Sequence, residues 1–408
     1  MKTSNRWIEL IAGIFVLFNL GLIYSWSIFS RPLNHYFGNA WSQGQLALVF
    51  TLSMIFFCIG GFLNGLLRKK IKKVLAGSAL LISGGFWLIS LADTLSIPPL
   101  YLLYVCYGVL GGLGIGLAFN SVIANVSQKF KEKQGLASGV LLMGFGIGSV
   151  FLGSACEKLI AAFGVLPTFR ALSIWILING LIGVIFLRDA LTTPAEARLA
   201  TGLAPKQMLK QPLFGLYFIW VTLVSAAGLM VINDAANIAL AVNLRGTIGL
   251  LMPAFSGIGK LTFGYLYDRL KRSRTMLLGS LFLAVGGFCL AGGSYSGQAA
   301  LIILGLIFLG LSYGSGSAIT AAFISQYYGS KFYAANYSLA TFNLVFSALI
   351  GPSLAVQVEA NYGTFYLFLV ILLLAAGAFV LLLLMKFIET KGEKSRGGEV
   401  CGKKDFSN

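Results

Sequence analysis

Long apolar runs are the feature that most constrains this chain. The 408 residues contain twelve stretches that each come close to the ~20 residues an α-helix needs to cross a bilayer. They are residues 8–29, 45–67, 74–91, 100–125, 135–156, 168–187, 212–233, 246–267, 276–293, 299–325, 333–356 and 364–387. Charged residues make up only 11% of the chain, whereas a soluble domain carries roughly 25%. The sequence therefore predicts an all-α integral membrane protein with twelve spans, numbered in chain order below.

The lysines and arginines predict how the chain is oriented. If the N-terminus is cytoplasmic, 25 of the 30 basic residues fall in cytoplasmic segments, which is the usual topology signal. The four on the other side are Arg31, Lys158, Arg170 and Arg245. We expect a multi-pass protein of the cytoplasmic membrane with both termini inside the cell. The net charge of +17 follows from this pattern, so no nucleic-acid partner is expected.

The chain also divides into two similar parts. The longest polar connection, residues 188–211, separates six predicted spans in residues 1–187 from six in residues 212–388. A tail, residues 389–408, is expected to be disordered. Short matches recur after spans 2 and 8, within spans 4 and 10, and at the start of spans 6 and 12, at offsets of 199, 198 and 196 positions. Such a parallel repeat is typical of secondary transporters.

One lysine lies deep in an apolar run. Lys260 precedes the charged turn that begins at Asp268 by eight residues, or ~12 Å along a helix. It would then lie near the middle of a ~30 Å hydrocarbon core, where a charged group is costly and usually functional. The alternative is a lysine that extends its head to the interface, although its stem is too short to reach it fully. A bound carboxylate would favour the charged lysine, which gives a simple route to proton–anion coupling.

Several motifs carry a family resemblance. Gly264–Arg269, after span 8, resembles the cytoplasmic loop motif of the major facilitator superfamily, and in the first half Lys69 stands in the place of its acid. Further motifs resemble the oxalate–formate antiporter family and its monocarboxylate transporter relatives. They are Tyr24-Ser-Trp-Ser, Gly135-Leu-Ala-Ser-Gly, Gly259-Lys-Leu-x-x-Gly-Tyr-Leu-x-Asp-Arg and Ala335-Asn-Tyr.

This resemblance implies the major facilitator fold and a carrier that moves small carboxylates by alternating access. In that family a basic residue of span 8 pairs with the substrate carboxylate, and Lys260 occupies its position. The oxalate carriers have a second lysine in span 11, where this chain has Leu344 beside Asn343. The departure favours a monocarboxylate such as lactate, pyruvate or formate, carried with protons or in exchange for another anion. A carrier of oxalate, another dicarboxylate, a drug or a sugar is the alternative.

Three aromatic residues are candidates for the substrate cavity. Tyr24, Phe119 and Tyr313 fall where the carboxylate carriers place cavity aromatics, and a tyrosine hydroxyl can donate to a carboxylate. Because the chain has 32 Phe and 16 Tyr, ordinary packing is an equally simple explanation.

Polar residues give the remaining candidates. Asn120 and Asn343 would bind substrate or a neighbouring helix. Asp234, predicted at the end of span 7, is either a hydrated helix end or an external gate that handles protons. Asp268 and Arg269 are expected to brace one conformation through contacts between the halves.

Other classes of function lack support in the sequence. There is no pairing of intramembrane carboxylates and no nucleophile–base pair, so an enzyme is not expected. Five cysteines without a CxxC motif and a single histidine, His35, make a metal site improbable. We expect no cofactor, a functional monomer in the lipid bilayer, and a first run that is a span rather than a signal peptide.

Overall fold

The computed structural model describes residues 3–67, 70–127, 129–130, 134–189, 201–329 and 331–401. Nearly all of these residues are helical, and none of them forms a strand; one isolated bridge joins Gly202 and Gly329. Three of the sequence predictions fall wholly or partly elsewhere. Lys69, residues 190–200 of the predicted connection and residues 402–408 of the predicted tail lie outside the described residues.

The first six spans have these bounds. Span 1 is Thr3–Leu20, the 3-10 turn Gly21–Ser25 and Trp26–Tyr36; span 2 is Gln43–Leu67; span 3 is Ile71–Ile89; span 4 is Pro99–Leu103, the π-helix Tyr104–Gly111 and Gly112–Ser127; span 5 is Gln134–Phe163; span 6 is Val165–Phe186. Mid-helix stretches of 3-10 or π geometry often mark hinges or functional sites. Tyr24 lies within such a stretch.

The last six spans follow the same plan. Span 7 is Pro212–Leu240; spans 8 and 9 lie in Leu251–Ser296 after the 3-10 turn Gly246–Leu250; span 10 is Ala299–Tyr328; span 11 is Tyr333–Thr341 and Asn343–Tyr362; span 12 is in Thr364–Cys401. Eleven stretches of the described chain are long and apolar enough to cross a membrane, because spans 8 and 9 form one continuous stretch, Gly246–Ser296. Lys271 breaks that stretch with a left-handed backbone, φ 61° and ψ 177°. The break separates the two predicted spans, and the predicted all-helical membrane fold is confirmed.

The predicted end of span 7 was wrong. The helix continues past residue 233 to Leu240, and Asp234 forms a kink inside it with φ −121° and ψ 15°. Asn237 donates a hydrogen bond to the Asp234 carboxylate, so two of the polar residues that suggested a helix end bond to each other within the helix. Asp234 is therefore a residue at a helix kink and not at a helix terminus.

The first six and the last six spans meet along two seams. At the seam of spans 5 and 8, a Cβ atom on Gly146 would stand 2.5 Å from the Cα of Gly257, so only glycine allows this approach. At the seam of spans 2 and 11, Thr51 Oγ1 donates to the carbonyl of Ala348 at 3.3 Å. Ser338 Oγ donates to the carbonyl of Gly61 at 3.4 Å. The first seam is a close backbone crossing, and the second is held by hydrogen bonds along its length.

A buried ion pair connects spans 1 and 4 near the start of the chain. Lys129 Nζ donates to the Glu9 carboxylate and to the carbonyl of Arg188 at 2.6 Å. The backbone N–H of Arg188 also donates to Glu9 Oε2, at 3.2 Å. The side chains of Lys129 and Glu9 are only 5% and 4% exposed. This pair anchors the ends of spans 1, 4 and 6 to one another.

The connection between the sixth and seventh spans is attached at both ends. Asp189 Oδ1 accepts a hydrogen bond of 2.7 Å from the backbone N–H of Ile71, the first residue of span 3. At the other end, Leu203 N–H donates to the carbonyl of Tyr328, and Asn336 Nδ2 donates to the carbonyl of Leu203, each at 3.0 Å. The short helix Pro205–Leu209 follows. One end of the connection is therefore fixed to each group of six spans.

Candidate functional site

All six predicted substrate-binding residues line one cavity in the centre of the bundle. This central cavity has a volume of about 40 Å³, and spans 1, 2, 4, 7, 8, 10 and 11 contribute to its walls. The predicted residues among its lining are Lys260, Tyr24, Tyr313, Phe119, Asn343 and Asn120. A volume of this size admits one or a few water molecules. In this conformation the central cavity is therefore small and nearly closed.

Lys260 is buried without an acidic partner. Its side chain is 3% exposed, and its Nζ atom makes no hydrogen bond or ion pair with the part of the chain that the structure describes. Nζ lies 5.6 Å from the ring centre of Tyr24 and 5.3 Å from that of Phe145. Desolvated cation–π contacts contribute about 2 kcal/mol, whereas burying an ammonium costs several kcal/mol. The rings offset part of that cost, and an anion beside Nζ would offset the rest. A lysine that extends its ammonium group to the membrane interface would not have that group this deeply enclosed.

An aromatic cluster lies beside the ammonium, which contacts two of its rings, Tyr24 and Phe145. It consists of Tyr24, Phe57, Phe119, Phe145 and Tyr313. The rings of Phe119 and Phe145 are 4.7 Å apart, those of Phe57 and Phe119 are 5.0 Å apart, and those of Tyr24 and Phe145 are 5.2 Å apart. The hydroxyl oxygens of Tyr24 and Tyr313 share a hydrogen bond of 3.2 Å across the two groups of six spans. The cluster places aromatic rings beside Lys260, and the Tyr24–Tyr313 hydrogen bond links the two sides of the cavity.

The 3-10 turn of span 1 and a glycine of span 7 place these tyrosines. A Cβ on Gly21 would lie 2.1 Å from the carbonyl oxygen of Phe145, so the turn approaches span 5 closely and carries Tyr24 into the cavity. A Cβ on Gly228 would lie 2.4 Å from the ring of Tyr313. Small residues therefore make the room in which the two rings meet.

Polar groups from the last six spans form another wall. Asn343 Nδ2 donates to Ser225 Oγ at 3.0 Å and to the carbonyl of Val221 at 3.4 Å. The predicted contact of Asn343 with a neighbouring helix is thus present, while Asn343 still lines the cavity. Asn120, on the opposite wall, makes no side-chain hydrogen bond with the described residues and abuts Gly61. The cavity combines one cation with amide and hydroxyl groups.

A second, larger cavity leads from Lys260 to one face of the bundle. This vestibule has a volume of about 350 Å³, and its walls come from spans 5, 8, 10 and 11. Lys260 lines both cavities, and the vestibule reaches Asp268 and Lys271 at the turn between spans 8 and 9. We call the face that carries this turn the basic face. Lys260 therefore stands where the vestibule meets the central cavity.

The opposite side of the cavity is closed. Ile28, Ala236 and Leu250 form a small buried apolar cluster that joins spans 1 and 7 to the start of span 8. Val150 and Ile160 of span 5 pack against it. Together with the Gly146–Gly257 crossing and the Tyr24–Tyr313 hydrogen bond, this cluster seals the bundle on the face opposite the vestibule.

The three residues predicted to gate or couple transport lie apart from the central cavity. Asp268 is exposed and lines the vestibule. The guanidinium of Arg269 lies 4.9 Å from the ring centre of Tyr265, one turn earlier on the same helix. Neither residue forms an ion pair with any described residue. Asp234 lies at the span 7 kink, two residues before Ala236 of the apolar cluster on the opposite face.

Sequence reasoning missed several residues that line the central cavity or lie beside Lys260. Phe145 provides a face of the Lys260 environment, and Ser225 accepts the Asn343 hydrogen bond. Cys58, Tyr337 and Thr341 also line the central cavity. No sequence signal distinguished Phe145, since it is one of 32 phenylalanines in the chain. Within the described residues, no group of three or more His, Cys, Asp or Glu is placed to hold a metal ion.

Sequence relatives include named transporters. The chain is 26% identical over 303 residues to the uncharacterized MFS-type transporter YhjX of Escherichia coli (strain K12), covering 70% of this chain and 73% of that protein. It is 25% identical over 289 residues to the oxalate:formate antiporter of Oxalobacter formigenes, covering 67% of this chain and 66% of that protein. Relatives named monocarboxylate transporters match shorter segments. The resemblance inferred from the motifs is thereby confirmed.

A solved structure shares the fold. The partially occluded inward open conformation of the xylose transporter XylE from E. coli matches with a TM-score of 0.72 and 15% identity, over 94% of this chain and 97% of that one. At this identity the likeness concerns the fold alone. The family model of the Major Facilitator Superfamily matches residues 10–341 and 234–403. With twelve spans around a central cavity and a family match over most of its length, the chain belongs to the Major Facilitator Superfamily of multi-pass membrane transporters.

Proposed function

We propose that this transporter moves a small monocarboxylate, such as lactate, pyruvate or formate, by alternating access. The observation that carries the proposal is Lys260, a buried cation with aromatic neighbours and no acidic partner among the described residues. Intramembrane cations of this kind mark anion sites. A carboxylate that reaches Nζ would form a charge-assisted hydrogen bond in a water-poor cavity, where such bonds are strongest.

The composition of the cavity favours one carboxylate over two. Of the described residues that line it, Lys260 is the one with a basic side chain, and Leu344 takes the position of the second lysine of the oxalate carriers. A dianion would bury its second charge without a cation, which costs several kcal/mol. The oxalate:formate antiporter and the monocarboxylate transporters among the relatives make carboxylates the natural class of substrate.

The two cavities support alternating access. The vestibule opens at the basic face and the apolar cluster closes the opposite face, so Lys260 is reached from one side at a time. The excess of basic residues identifies the basic face as cytoplasmic, with both termini on that side of the cell membrane. On this assignment the structure is inward-facing. Movement of the two groups of six spans past one another would break the Tyr24–Tyr313 bond and open the other side.

Uptake into proteoliposomes tests the proposal. The purified chain should accumulate radiolabelled lactate or formate, and Lys260→Ala should lower uptake about 100-fold, because truncating one partner of a buried charge pair costs about 2–5 kcal/mol. Lys158→Ala removes an exposed lysine and is the matched control, with uptake expected near that of the unmodified chain. Absence of monocarboxylate uptake by the intact chain, or near-normal uptake by Lys260→Ala, would refute the assignment.

The coupling mode needs a separate measurement. Proton symport predicts uptake that follows an imposed pH gradient, whereas anion exchange predicts uptake that requires a carboxylate inside the vesicle. Asp234 is our candidate for the gate or proton-handling group at the face opposite the vestibule, and Asp268 and Arg269 for bracing the inward-facing state. We expect the transport unit to be a monomer in the bilayer, since the central cavity lies within one chain.

A further inference from the structure

Asn343, on the wall of the central cavity formed by spans 7 and 11, presents an unused acceptor. Asn343 is 3% exposed, and its Nδ2 hydrogens go to Ser225 Oγ and to the carbonyl of Val221. Its Oδ1 accepts no hydrogen bond from the residues that the structure describes, although Asn343 lines the cavity. A buried amide oxygen left in this way favours a ligand that can donate to it.

Ser225, on the same wall, presents an unused donor. Serine and threonine hydroxyls in helices often donate to a carbonyl one turn earlier, and the other serine and threonine residues that line the cavity do so. Thr320 donates to Gly316 at 2.7 Å, Thr341 to Ser338 at 2.8 Å and Ser317 to Gly314 at 3.3 Å. Ser225, also 3% exposed, instead accepts from Asn343 and donates to no carbonyl among the described residues. Its O–H group is thus free for a ligand.

A hydroxyl group matches this pair, because a hydroxyl both donates and accepts. We propose that the transporter selects monocarboxylates that carry a hydroxyl group, with the carboxylate at Lys260 and the hydroxyl between Asn343 Oδ1 and Ser225 Oγ. This inference rests on the proposed carboxylate function and names its substrate class. Short 2-hydroxy acids are the simplest molecules with both groups.

Related acids satisfy the pair less well. The keto oxygen of pyruvate accepts from Ser225 and leaves Asn343 Oδ1 without a donor. The methylene group of propionate leaves both unmatched. The second carboxylate of malonate would place negative charge against Asn343 Oδ1. Since a site built to bond a hydroxyl discriminates strongly against analogues without one, lactate should bind about 10- to 100-fold more tightly than propionate.

Ligand-induced thermal stabilisation of the purified full chain measures this selectivity, because a ligand that binds only the folded state raises its apparent stability. Titrations with lactate, pyruvate, propionate and malonate should give the order lactate, pyruvate, propionate, malonate from tightest to weakest. Asn343→Leu should reduce the lactate-to-propionate affinity ratio to near one while propionate still binds. Ser225→Ala should reduce the same ratio partially and serves as a milder variant if Asn343→Leu does not fold.

Ser347→Ala is the matched control. Ser347 Oγ also bridges spans 11 and 7, by a hydrogen bond of 2.9 Å to the carbonyl of Thr222, but Ser347 does not line the central cavity. Its loss should leave the ratio unchanged. Equal affinities for lactate and propionate in the intact chain, or an unchanged ratio in both cavity variants, would overturn the hydroxyl site while leaving the carboxylate proposal standing. Binding of none of the four acids would instead refute the carboxylate proposal itself.

Discussion

Lys129 and Lys260 are both buried lysines, but their environments differ. Lys129 donates to Glu9 and to a backbone carbonyl at the edge of the first six spans. Lys260 lies between the two groups of six spans, and its neighbours are the faces of Tyr24 and Phe145. A lysine that stabilises the fold is paired with an acidic residue of its own chain. A lysine that binds an anionic substrate stays without an acidic partner until the substrate binds. On the proposed function, the contrast distinguishes a structural lysine from a substrate-binding one in the same molecule.

The largest effect on the free energy of unfolding is expected at the paired lysine, Lys129. Glu9→Ala would leave the Lys129 ammonium buried without its carboxylate, and losing one partner of a buried pair lowers the free energy of unfolding by about 3–5 kcal/mol. Denaturation of the purified protein in detergent measures this loss. The double variant Glu9→Leu with Lys129→Met removes both charges and should recover most of the stability. A single variant as stable as the unmodified protein would show that the pair contributes little.

At the unpaired lysine, Lys260, we expect substitution to raise the free energy of unfolding. Lys260→Met replaces a buried ammonium by an apolar side chain of similar length, so the free energy of unfolding should rise by about 1 kcal/mol or more. The same variant should lose the thermal shift that lactate produces in the unmodified protein. If Lys260→Met instead destabilises the protein as much as Glu9→Ala, Lys260 has a structural partner and the contrast between the two lysines fails.

A smaller effect is expected at Tyr24. Tyr24→Phe keeps the ring near Lys260 Nζ and removes the hydrogen bond to Tyr313, which is worth about 1 kcal/mol. Stability should fall slightly, and lactate uptake should change by less than about tenfold. Tyr24→Leu also removes the ring and should be more damaging to uptake. Equal uptake by the two variants would show that the ring face does not matter to Lys260.

Much of the fold could be predicted because the bilayer sets the length of each apolar run. The span 7 end could not, since Asn237 satisfies Asp234 inside the helix and a polar pair of this kind resembles a terminus in the sequence. Lys260 could be predicted as a candidate-site residue because charge is rare at that depth, and it lines the central cavity. Phe145 could not, because one phenylalanine among 32 in uniformly apolar helices carries no contrast.

The cavity wall shows a second limit of sequence reasoning. Asn343 could be identified as an amide at membrane depth, but its two alternatives, a helix contact or a substrate contact, could not be separated. In the structure its Nδ2 donates to two groups of span 7, whereas its Oδ1 accepts no hydrogen bond from the described residues. Which atom of an amide is occupied depends on the helix opposite, and that partner, Ser225, is 118 residues away in the chain.

The connection between spans 6 and 7, which is attached at both ends, limits how far the two groups of six spans can move apart. One end is held at Asp189 by span 3, and the other is held at Leu203 by Tyr328, the last residue of span 10. The chain between these two anchors is short, and even fully extended it reaches only about 50 Å. Rocking of the two groups of six spans is compatible with that reach. Wide separation is not compatible with it, so the connection sets an upper bound on the distance between the two groups at the basic face.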